Sequence, residues 1–105
     1  MGDNTKTIIQ EDIIIDGNIF EKEDILINGK INGNLKAENI EIDSKAKIDG
    51  DINSKETILS GNLIGNIESD KVHISSTAVI EGSIKQKTLS IDEGAKLKIK
   101  TETLK

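Results

Sequence analysis

Val72-His-Ile-Ser-Ser-Thr-Ala-Val-Ile-Glu-Gly-Ser-Ile84 repeats an earlier segment of the same chain. Laid over Ile40-Glu-Ile-Asp-Ser-Lys-Ala-Lys-Ile-Asp-Gly-Asp-Ile52, it matches in phase at every apolar position. Ile40, Ile42, Ala46, Ile48, Gly50 and Ile52 meet Val72, Ile74, Ala78, Ile80, Gly82 and Ile84. Self-similarity at a fixed offset is the mark of a repeat architecture, in which each unit buries its apolar face only against its neighbours.

Four more copies follow the same pattern. Starts fall at Thr7, Ile25, Ile40, Thr57, Val72 and Leu89, spaced 18, 15, 17, 15 and 17 residues apart. Those spacings are too short for a helix, two loops and a strand, so the units are windings of short strands. The copies from Ile25 and Thr57 lack two residues at one corner, where Gly29 and Gly61 sit. Gly17, Gly33, Gly50, Gly65 and Gly82 recur just before the last apolar anchor of each winding, where a sharp bend favours a residue without Cβ.

Stacking the copies yields four inward columns. They are Thr7, Ile25, Ile40, Thr57, Val72, Leu89; then Ile9, Ile27, Ile42, Leu59, Ile74, Ile91. The other two are Ile15, Ile31, Ile48, Leu63, Ile80, Leu97, and Ile19, Leu35, Ile52, Ile67, Ile84. The expected fold is all-β, a parallel β-helix of about six windings with rungs about 4.8 Å apart and a rod roughly 30 Å long. Residues 1–6 read as a tail, 7–101 as the solenoid and 102–105 as a short second tail.

Composition narrows the function. The chain has no Cys, so disulfides, thiol catalysis and thiolate metal sites are excluded. Phe20 is its only aromatic residue and the net charge is −5, with Lys interspersed among acids. That leaves no basic stripe or stacking platform for a nucleic acid. The opening Met1-Gly-Asp-Asn-Thr-Lys6 is polar, resembles no signal peptide or membrane span, and fails the myristoylation pattern at Lys6. A cytoplasmic protein without direct membrane insertion is expected.

Candidate chemistry is sparse. His73, the only His, falls at an outward position with no partner at fixed spacing, so an exposed strand residue is preferred to a catalytic base. Asp16, Asp49 and Glu81 stack along one corner, but Asn32 and Ile64 interrupt them, and a Ca²⁺ site needs six or more oxygens. No phosphate-binding Gly motif occurs. The expectation is no enzyme, no cofactor and no metal.

A solenoid has two ends, each showing unpaired strand backbone and an apolar cross-section that monomeric solenoids cover with polar caps. Here the last winding is degenerate, with Ile99 in the Gly position and Thr101 in the anchor position. The reading is of ends that pair with other copies, with Thr7 and Ile9 at one interface and Leu97 and Ile99 at the other. The outward column Ile8, Leu26, Ile58, shared with Glu41, His73 and Ser90 and with Phe20 near its start, reads equally as scattered surface apolar residues or as a lateral or partner face.

The chain resembles the bactofilins, polymer-forming bacterial cytoskeletal proteins. The resemblance rests on Thr7-Ile-Ile9 with Ile15-Asp-Gly-Asn-Ile19, Ile48-Asp-Gly-Asp-Ile52, Ile80-Glu-Gly-Ser-Ile84 and Leu89-Ser-Ile-Asp-Glu-Gly-Ala-Lys-Leu97, and covers about residues 7–101. It implies a right-handed, three-sided β-helix that assembles end to end into non-polar filaments without nucleotide. It also implies a scaffold for cell shape that recruits cell-wall enzymes, and a critical apolar residue in the final winding, here Leu97. The long Pro-rich tails and the apolar N-terminal membrane segment of some members have no counterpart, so membrane association would run through a membrane-bound partner. The rival expectation is a monomeric β-helix adaptor that binds a cell-wall-processing partner through a flat face.

Overall fold

The computed structural model describes residues 7–103. Eleven strands follow one another: β1 (Thr7–Ile9), β2 (Ile14–Asp16), β3 (Ile19–Phe20), β4 (Asp24–Ile27), β5 (Lys30–Asn32) and β6 (Leu35–Ile42). Then come β7 (Lys47–Asp49), β8 (Ile52–Leu59), β9 (Asn62–Ile74), β10 (Val79–Ile91) and β11 (Lys96–Thr103). Every pairing among them is parallel, and each joins a strand to the equivalent stretch one winding on. The result is a β-solenoid of about six turns.

The registers divide it into three sides. On the first, β1 pairs with β4, which pairs in turn with the end of β6, and so on through β8, β9 and β10. The second stacks β2, β5, β7 and the starts of β9, β10 and β11. On the third lie β3, the starts of β6 and β8, the middles of β9 and β10 and the end of β11. All four inward columns deduced from sequence are reproduced rung for rung. Alternation along each strand sends Ile25, Ile27, Ile31, Leu35, Ile40, Ile42, Ile48 and Ile52 into a fully buried core.

The corners explain the unequal windings. Long ones close with a turn in which Ile13, Ala46, Ala78 and Ala95 N–H donate to the carbonyls of Gln10, Asp43, Ser75 and Asp92. In the short windings the chain cuts straight across that turn, and a Cβ at Gly61 would strike the carbonyls of both Asp43 and Ala46 beneath it. Backbone bonds run on through the opposite corner, as where Gly50 N–H donates to Ile64 O at 2.9 Å.

A fifth inward column, not foreseen, occupies the corner between the third and first sides: Ala37, Ser54, Ser69, Gln86 and Thr103. Ser54, Ser69 and the buried Thr57 close a triangle of hydroxyls at 2.5, 2.7 and 2.8 Å. It satisfies polar groups that would otherwise be costly inside an aliphatic core.

Two expectations need adjusting. Strand β11 continues through Glu102 and Thr103, paired with Lys85 and Gln86, so the last winding outruns the boundary drawn at 101. The remaining parts of the two tails, residues 1–6 and 104–105, lie outside the described residues. With extents of 37 × 29 × 24 Å the chain is a drum rather than a rod, so any elongated object built from it requires many copies.

Candidate functional site

A coil whose every strand has a neighbour above and below has unpaired backbone only at its tips. Among the described residues, β1, β2 and β3 each pair on one side alone, with β4, β5 and β6. At the opposite tip, Leu89–Ile91 and β11 pair only with the winding before them. Thus Thr7 and Ile9 fall in the first rung, and Leu97 and Ile99 in the last, as expected.

Burial follows the same logic. Ile15 and Ile19 of the first winding and Leu89, Leu97 and Ile99 of the last are half-buried, while their columns are closed in between. Ile91 ends the second column 46% exposed. Each tip therefore combines a free strand edge with the cut end of aliphatic columns. A glycine geometry marks the tips too. A Cβ placed on Gly50 would land on the carbonyl oxygen of Gly33, whereas one on Gly17 would meet nothing within 4 Å. Register puts Ile99 above Gly82, closing the glycine column at the far end.

Hydrogen bonds along the third side have a direction. Asn34 N–H donates to Asn18 Oδ1 at 3.0 Å, Asp51 N–H to Asn34 Oδ1 at 3.1 Å and Asn66 N–H to Asp51 Oδ1 at 3.3 Å. Ser83 Oγ continues the ladder to Asn66 Oδ1 at 2.6 Å. Its next position is Lys100, whose side chain carries no acceptor, so the ladder terminates at the C-terminal tip.

The outward column on the first side is as read from sequence: Ile8, Leu26, Glu41, Ile58, His73 and Ser90. Phe20 does not join it. It pairs with Lys36 on the third side, 74% exposed, because the linker after it turns the corner before β4 begins. Hence Ile8, Leu26 and Ile58 form one surface and Phe20 belongs to another.

His73 is partly exposed and its Nε2 lies 3.3 Å from Asp92 Oδ2, a partner from the following corner that sequence reasoning missed. Their separation of 19 residues is a winding plus two, visible only once the register is known. Both side chains are about half exposed, which makes the pair a surface contact worth about 0–1 kcal/mol. The corner column Asp16, Asn32, Asp49, Ile64, Glu81 is also as expected, with Asn32 and Ile64 separating the carboxylates. No helix of the described residues is long and apolar enough to cross a membrane.

The comparisons with known proteins bear on these tips. Among curated proteins no sequence matches. The fold resembles the solid-state NMR structure of the cytoskeletal bactofilin BacA, with a TM-score of 0.80 over 94% of each chain and 21% identity. A family model described as bactofilin, polymer-forming cytoskeletal, matches residues 7–102. Nearly the whole solenoid thus fits one family pattern, and the chain belongs to the bactofilins, a family of polymer-forming cytoskeletal proteins.

Proposed function

We propose that this protein assembles end to end into filaments without nucleotide, using both solenoid tips, and serves as a scaffold for cell shape and cell-wall organisation. The observation that carries this reading is the pair of tips where inward columns and strand ladders stop unfinished: Thr7, Ile15 and Ile19 at one, where Ile9 is buried but its strand edge is free, and Leu89, Ile91, Leu97 and Ile99 at the other. Another copy supplies both missing terms at once, strand pairing and aliphatic cover. Like tips meeting across two-fold axes give a non-polar filament. The asparagine ladder supports that arrangement, since head-to-tail stacking would set Asn18 N–H over Lys100.

In this reading the protein does no catalysis, sits in the cytoplasm, and reaches the inner face of the membrane through a protein partner. The column Ile8, Leu26, Ile58 is its lateral or partner face, where filaments bundle or a cell-wall enzyme docks. A monomeric adaptor using that column alone is the competing reading. Sedimentation and negative-stain microscopy of purified protein in nucleotide-free buffer decide between them. Pelleted filaments support assembly, and a species that stays monomeric at every concentration rules it out.

A further inference from the structure

The first winding differs from the other five in two independent ways. It is the one winding with an exposed apolar residue on all three outward sides: Ile8 on the first, Ile14 on the second and Phe20 on the third, at 51%, 74% and 74% exposure. One rung further on, the second and third sides already present Lys30 and Lys36. The collar therefore encircles the tip, one rung high on the second and third sides and continued by Leu26 on the first.

The second difference is charge. Residues 7–24 hold Glu11, Asp12, Asp16, Glu21, Glu23 and Asp24 against Lys22, and Glu11 of the corner is met by a lysine from another winding, Lys45 at 3.2 Å. The last winding is balanced, with Asp92, Glu93 and Glu102 against Lys96, Lys98 and Lys100.

An end-on neighbour presenting its last winding would place Ser90, Lys96 and Glu102 beside the collar, by continuation of the three registers. A neighbour presenting its first winding places collar against collar. Because all three sides of a triangular outline carry an apolar residue, every two-fold orientation that superimposes the outlines sets apolar on apolar. It also brings the acidic excess of one first winding, Asp12, Asp16 and Glu21 included, near that of another, a repulsion that salt screens.

We infer that the two junctions are unequal: the C-terminal junction is permanent, and the N-terminal junction is an apolar collar that closes only when its acidic charge is screened. The basic unit is then a dimer joined through last windings, which lengthens as ionic strength rises. This rests on end-to-end assembly through like tips.

The test is sedimentation velocity with electron microscopy of the purified chain at 20 and 500 mM NaCl. Expected are dimers at low salt and filaments at high salt, with a critical concentration roughly tenfold or more lower at 500 mM, since the screening length shrinks severalfold. The triple variant Asp12→Asn, Asp16→Asn, Glu21→Gln forms filaments at 20 mM. A matched variant that removes the same charge from middle windings, Asp49→Asn, Glu68→Gln, Glu81→Gln, behaves as wild type. Ile14→Ser with Phe20→Ser, both far into solvent, keeps the fold by circular dichroism and stops at dimers at every salt concentration. Filaments equally long at both salts, an equal effect of the middle-winding variant, or filaments that dissolve as salt is added each overturn the inference while leaving assembly intact. Absence of filaments from every variant under every condition overturns the assembly reading itself.

Discussion

The carbonyl oxygen of Gly33 occupies the place that a side chain on Gly50 would need. Gly50 also holds φ at +150°, a conformation that residues with a Cβ rarely adopt. Gly50→Ala therefore combines backbone strain with a collision in a stack whose rung spacing is fixed by hydrogen bonds on both sides. A loss of about 3 kcal/mol or more is expected, read as the shift of a urea unfolding curve. Gly17→Ala, with a similar φ but open space around it, should cost only about 1 kcal/mol. Equal losses at the two positions would show that conformation alone, and not stacking, demands glycine.

Leu97→Arg tests the C-terminal tip. Leu97 ends the third column half-buried, and a charge there enters a desolvated contact if a second copy covers it. The variant should retain its melting temperature within a few degrees and yield only short oligomers in negative-stain images. Filaments of normal length would take Leu97 out of the interface.

Ile48→Ala probes the interior. Ile48 is fully buried between Ile31 and Leu63 in the third column. Its truncation should cost about 2–5 kcal/mol in thermal or chemical unfolding, as the stacked windings above and below cannot collapse inward.

The hydroxyl triangle should respond asymmetrically. In Thr57→Val, Ser54 and Ser69 still bond to each other at 2.7 Å, so a loss of about 1 kcal/mol or less is expected. In Ser54→Ala with Ser69→Ala, the buried Thr57 hydroxyl is stranded, and about 1–3 kcal/mol should be lost. Unfolding curves measured side by side distinguish a mutually satisfied cluster from three independent hydroxyls.

His73→Ala removes the contact with Asp92 and nothing else of the core. Stability should change by no more than about 1 kcal/mol, and assembly should be unaffected. A large loss in the unfolding curve would mean that the last corner is held by this pair.

How far the sequence could be read depended on side-chain type. The four aliphatic columns were legible because Ile, Leu and Val alternate with polar residues within each strand, and one recurring Gly fixes the phase between strands. The fifth column was hidden because Ala37, Ser54, Ser69 and Gln86 look like solvent-facing residues, and the corner makes a partly polar, close-packed site of them. Phe20 was joined to the wrong side because it lies in the one 18-residue spacing of the chain, longer than the 15 and 17 of the other copies, so no copy shows where its stretch turns. The collar was invisible for the same reason: Ile8, Ile14 and Phe20 are scattered in sequence, and only closure of the first turn puts them at one height. The free edges of both tips followed from repeat logic, whereas the imbalance between them required windings to be compared as rings.

The coil has no lateral seam: among the described residues, each strand between its first and last turns pairs with a neighbouring winding on both sides. No strand edge faces sideways, so strand pairing with another copy is confined to the two tips. In the assembly proposed above, regulation falls to whatever competes for the termini. A cell could set polymer length simply by adjusting how many termini are occupied.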